Sequence, residues 1–194
     1  MKKKKYSEMA DKKCTYKEFL MLLPYADKGV QEDLVLRLKD QPRPDKLCGK
    51  EVPKDLNTLS YGTLDDIRSA SEAKDIVGEC AKILLDLEPD LLMGEDVNDV
   101  FGFINFVTKE LERINKLFAS IKVNYSKEEI AAGIKTLDFG SFGVLDWYAK
   151  RMGITNQNEV REVAWVRIYR CMANDALSNN YERKLSQQYM KKNK

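Results

Sequence analysis

The chain has 194 residues, 43% hydrophobic and 33% charged, which is enough apolar material for one core or two modest ones and excludes wholesale disorder. Histidine is absent, so serine–histidine nucleophilic chemistry, imidazole-relayed acid–base catalysis and histidine-containing zinc sites are excluded. The net charge of +2 hides an asymmetry: residues 1–5 hold four lysines and residues 191–194 three, with no acid in either stretch, and the body between them is mildly acidic.

Thr15-Tyr16-Lys17-Glu18 has the spacing of a capping box ahead of Phe19, Leu20, Leu22 and Leu23, and Pro24 ends or bends that helix. A second helix over about 29–39 runs through Val30, Leu34, Leu36 and Leu38, the last three of which alternate as a brief strand also would. From Asp40 to Asn57 three prolines and a glycine predict a linker or long loop. The expected division is a small N-terminal helical unit with a basic tail over 1–40, a linker over 41–57, a main helical domain over 58–190 and a basic tail over 191–194.

Thr63 is the expected cap of the next helix, with Asp66 its reciprocal residue. A stronger helix over about 71–87 aligns Ile76, Cys80, Ile83, Leu84 and Leu87, and Pro89 closes it. The most secure element is 97–121, apolar on most of its circumference at first and on one stripe later, which makes it the expected central helix. Ser126 to Glu129 is another capping box, ahead of Ile130, Ile134 and Leu137. A helix from about Ser141 to Met152 stops at Gly153, and Asn156 opens the last run, with Val160, Ala164 and Ile168 on its core face and a bend near Ser178-Asn179-Asn180. The fold class is all-α: a compact irregular bundle of about six to eight helices with a long central helix.

Cys14, Cys48, Cys80 and Cys171 are far apart, form no CxxC and follow an opening without the apolar run of a signal peptide, so free thiols in a reducing cytosol are expected. The longest apolar run is Phe19 to Leu23, too short to span a bilayer. Asp138-Phe139-Gly140 has the letters of the kinase magnesium motif without the phosphate loop or lysine-bearing strand that give it meaning. It reads instead as a tight helix–helix turn in which Gly140 and Gly143 permit close approach or a positive φ, with Phe139 and Phe142 buried. The acids at 65–66, 86–90 and 95–99 have neither an ExxH pattern nor an apolar setting, so no catalytic residue, cofactor or metal site is assigned.

Two aromatic–basic groups suggest contact. Trp147, with Lys150 and Arg151 close behind, follows Asp146 on one predicted helix; Arg161, Trp165 and Tyr169 stand four apart as one ridge at the margin of another. Tryptophan, tyrosine and arginine are the residues of binding hot spots, so these six form the expected interaction surface.

Leu56 to Leu64, the 103–118 helix, Thr136 to Gly143 and the segments 146–153 and 158–172 together resemble proteins of tailed bacteriophages and prophages, the tail assembly chaperones above all. The resemblance spans about residues 56–190 and implies helical folding, production in the host cytoplasm with incorporation in the virion left open, and protein–protein contact with other virion or tail assembly proteins, without catalysis. Self-association is left open, membrane contact is not expected, and a small helical nucleic-acid-binding accessory protein is the alternative.

Overall fold

The computed structural model describes residues 14–192, so the lysines at 2–5 and the last two residues of the basic C-terminal tail lie outside the described part. The protein is all-α, with ten α-helices and one small β-hairpin among the described residues. Helices of only four or five residues at 89–92, 127–131 and 157–161 account for the excess over the expected count. The described residues form two compact units, one of residues 14–56 and 66–112, the other of residues 57–65 and 113–192.

In the first unit, Thr15 and Glu18 close the expected capping box at the start of α1 (Tyr16–Leu22), and α2 is Lys28–Lys39, helical where alternation also allowed a strand. Residues 41–57, expected as linker or long loop, hold a hairpin of β1 (Lys46–Leu47) and β2 (Lys50–Glu51) and bury Leu47, Val52 and Leu56. The hairpin turn needs two residues with positive φ; Gly49 supplies one without strain and Cys48, at φ 48°, is held in the other. Helix α3 (Tyr61–Ala70) has residues in both units and begins before the expected cap: the Ser60 hydroxyl, not Thr63, accepts from the third helical amide at 3.1 Å. Asp75 caps α4 (Ile76–Leu85), and Pro89 starts α5 (Pro89–Leu92), because α4 has already ended at the left-handed Asp86.

Helix α6 (Val97–Ala119) also has residues in both units, and its first part organises the first unit's core. Val100, Phe103 and Val107 are fully buried. Tyr16 and Phe19 meet the Phe101 ring edge-on at 6.3 and 5.4 Å, and the Asn105 amide donates to the Leu38 carbonyl at 2.6 Å. Gly102 faces the Pro42 carbonyl so closely that no β-carbon fits.

The second unit contains α7 (Lys127–Ala131), α8 (Gly140–Met152), α9 (Gln157–Arg161) and α10 (Trp165–Lys192). The expected run from Asn156 is interrupted at 162–164, because Val163 accepts from the Tyr61 amide at 2.8 Å and Trp165 donates to Leu59. The expected bend near Ser178 is absent: α10 runs unbroken for 28 residues. Asn180 does not compete with the helix backbone there, since its side chain bonds outward to Lys122 and Asn124.

Candidate interaction face

The six residues of the expected surface do not form an exposed patch. Trp165 is only 1% exposed and packs among Phe118 and Tyr169, with ring centroids 6.1 and 6.5 Å away, so it is a core residue of the second unit. The chain break at 162–164 is the physical reason. It starts a new helix at Trp165 and shifts the helical phase, so that Ala164, expected inside, is exposed, while Val160 and Ile168 are buried. Tyr169 is half-buried edge-on against Phe118 at 5.6 Å, and Trp147 is half-buried beside Tyr148.

The cations of that set are engaged within the chain. Lys150 bonds Asp146 at 2.7 Å, one turn back on α8. Arg151 holds Asp175 with two bonds of 3.0 and 3.2 Å, a forked geometry that fixes both side chains. Arg161 lies 3.8 Å from Asp65 and reaches the Gly62 carbonyl at 3.5 Å; Gly62 is required there, because a β-carbon would stand 2.8 Å from that of Arg161.

The glycine corner has the expected backbone and the opposite burial. Gly140 has φ 56°, and its amide donates to the Asp138 carboxylate at 2.8 Å. A β-carbon on Gly143 would come within 2.5 Å of Phe139 Cβ, so this turn needs glycine for close approach. Gly153 ends α8 at φ 68°, as expected of a C-terminal glycine. Phe139 and Phe142, expected inside, are 72% and 62% exposed, and Leu137 is 59% exposed. Met152 at the end of α8 is likewise exposed, whereas Tyr148 on the same helix is buried.

These three residues belong to a longer stretch that sequence reasoning missed. From residue 115 through residue 144 no residue is buried, although Leu117, Phe118, Ile121, Val123, Tyr125, Ile130, Ile134, Leu137, Phe139, Phe142 and Val144 lie within it. Helix α7 has five residues and the 3-10 turn Ile134–Thr136 three, too few for either to gather its apolar positions into one face.

Polar bonds hold this stretch to α10 instead. The Asn180 side chain accepts from the Asn124 amide and donates to the Lys122 carbonyl, both at 2.8 Å. One turn along, Arg183 grips both oxygens of Glu129, one of them at 2.8 Å, and Glu129 also accepts from the Ser126 amide in the expected capping box. The bonds from Arg183, followed by that from the Ser126 backbone, lower the Glu129 carboxyl to about 2. The clasp fixes residues 122–129, and beyond it Ile130, Leu137, Phe139 and Phe142 are exposed to solvent. The sequence signal for it is an apolar-rich segment interrupted by Gly133 and Gly140, which leaves only short elements between them and α6.

No reactive side chain is singled out. Burial pushes the Cys48 and Cys80 thiols up to about 11, away from the thiolate form that nucleophilic chemistry needs. Among the described residues no group of three or more acids and cysteines is placed to hold a metal ion, and no helix is long and apolar enough to cross a membrane. Compared with protein-family models, curated proteins and solved structures, the chain matches none.

Proposed function

We infer that the chain is a non-enzymatic structural or assembly-interaction protein, working by protein–protein contact through the face formed by residues 123–142. The observation behind this reading is the exposure of Leu137, Phe139 and Phe142 at the close turn that Gly140 and Gly143 permit, following in sequence the segment 122–129 that Asn180 and Arg183 bond to α10. Exposed aromatic side chains on a fixed support form a contact with little ordering cost, which is what a binding anchor requires. The absence of histidine removes the usual neutral-pH proton carrier and the raised thiols of Cys48 and Cys80 are poor nucleophiles, which favours contact over catalysis. Nucleic acid is the weaker reading, since Lys150, Arg151 and Arg161 are each matched by a carboxylate of the same unit.

For the setting, the resemblance of residues 56–190 to tailed-bacteriophage and prophage proteins supports a tail assembly chaperone or virion component made in the host cytoplasm, with other virion or tail proteins as partners. The test compares the wild-type chain with the Phe139→Ser/Phe142→Ser variant, each recovered with its associated molecules from cells in which the chain is naturally produced. The expected result is a bound protein that the variant loses while its helical circular dichroism is unchanged. An unchanged partner set in the folded variant, or nucleic acid as the bound species, contradicts the reading.

A further inference from the structure

A cleft of about 650 Å³ opens beside the clasp, between residues 124–126 and the part of α10 over 179–187. That volume suits a small ligand. No leucine, isoleucine, valine, methionine or phenylalanine lines it, and Tyr125 is its one aromatic residue. Asn124, Asn179, Ser186 and Gln187 do line it, and their side chains have no hydrogen-bond partner among the described residues. Three carboxamides and a hydroxyl therefore offer donors and acceptors side by side. The frame that carries them is fixed, since α10 is unbroken helix there and Asn180 and Arg183 bond residues 122–129 to it.

The lining selects among polar ligands. Its charges cancel: Glu182 offsets Lys184, and Arg183 is held by Glu129, so a phosphate-rich ligand meets no excess of cations. A bound peptide draws its affinity from apolar side chains set in pockets or from pairing with a strand edge. The cleft has no aliphatic pocket, and the second unit has no strand among its described residues. A sugar requires neither. Each hydroxyl both donates and accepts, so two neighbouring hydroxyls match one carboxamide, and the C–H face of the ring covers an aromatic side chain. Tyr125, 38% exposed, supplies that side chain at the wall of the cleft.

We propose that the cleft binds a neutral oligosaccharide of about two or three rings. Asn124, Asn179 and Gln187 hold its hydroxyls through their carboxamides, and Tyr125 stacks on one ring. The binding exchanges bonds to water for bonds to protein in an open cleft, so it is modest in strength and indifferent to salt. This goes beyond the contact function proposed above. The cleft borders the 123–142 face at residues 124–126 but uses neither Phe139 nor Phe142.

Nitrogen–proton NMR of the full chain tests this, because it observes the side-chain amides of Asn124, Asn179 and Gln187 directly. The probes are maltotriose, cellotriose, mannotriose, galactotriose and tri-N-acetylchitotriose, with inorganic phosphate and tetraglycine beside them. The expected result is that at least one trisaccharide shifts those three amides in a saturable titration that salt does not change. Asn179→Ala/Gln187→Ala weakens it at least about tenfold with the backbone spectrum otherwise unaltered, alanine being a good helix former at these exposed positions. Phe139→Ser/Phe142→Ser leaves the titration as it is, so loss of the contact face and loss of the sugar site are read separately. The proposal is overturned if none of the five sugars shifts the three amides, or if phosphate or tetraglycine shifts them as strongly. Binding undiminished in Asn179→Ala/Gln187→Ala also overturns it, and binding undiminished in Tyr125→Ala overturns the stacked ring.

Discussion

Residues 97–114 and residues 115–144 are both rich in apolar side chains, and the protein treats them in opposite ways. In the first stretch Val97, Val100, Phe103, Phe106, Val107 and Ile114 are buried; in the second nothing is. Hydrophobicity does not separate the two, because the second includes eleven apolar side chains larger than alanine, Phe118, Phe139 and Phe142 among them. Continuity does. Along 97–114 an unbroken helix repeats its apolar positions every three or four residues on one side, whereas between Ala119 and Gly140 elements of only five and three residues point theirs in several directions; Phe142, on the first turn of the longer α8, is exposed all the same. Polar bonds from Asn180 and Arg183 then fix residues 122–129 of the second stretch without requiring its apolar groups to be inside. One stretch builds a core and the other a display.

Substitution of equivalent residues in the two stretches gives the largest separation. Phe103→Ala removes a ring with no exposed surface and is expected to cost about 3–5 kcal/mol in urea unfolding. Phe139→Ala, the same chemical change at a 72% exposed ring, is expected to fall within about 0.5 kcal/mol of wild type. Equal losses at the two positions would erase the distinction. Gly143→Ala should lie between them, at about 1–3 kcal/mol, because its β-carbon meets that of Phe139 at 2.5 Å and the turn must open. Thermal unfolding checks it, and a neutral result would mean that the corner is not held as described.

The smallest effect concerns the clasp and appears as pH dependence. Glu129 has a carboxyl lowered from 4.5 to about 2, so its contribution to stability is complete above 4.5 and is lost as pH falls toward about 2. Glu129→Gln is expected to flatten that part of the acid-unfolding profile relative to wild type. A profile of unchanged slope would show that Arg183 does not hold Glu129 in solution. Both side chains are more than a third exposed, so solvent keeps the effect modest.

What the sequence allowed and what it hid divide along the same line. Local signals were reliable: Thr15 and Ser126 form their capping boxes, Asn156 caps α9, Gly153 ends α8, and Val97 starts α6. Each depends on side chains within four residues of one another, whose geometry a sequence specifies directly. Longer-range bonds were not accessible in that way. Leu59 and Tyr61, about a hundred residues earlier, interrupt the last helical run at 162–164, so periodicity drawn through Val160 and Ala164 placed Trp165 on the wrong side. Ser60 displaced Thr63 as a cap for a related reason, because its backbone is held by pairing with Ala164. Residue type places Phe139 and Phe142 inside, but type does not say whether another element stands over their turn to cover them.

Hydrogen exchange of the chain alone and in its native complex tests most directly whether the exposed stretch is a binding face. Peptides covering 123–142 are expected to gain protection on complex formation, while those covering 97–114, already slow, do not change. Unchanged exchange across 123–142, with new protection confined to other segments of the chain, would contradict it.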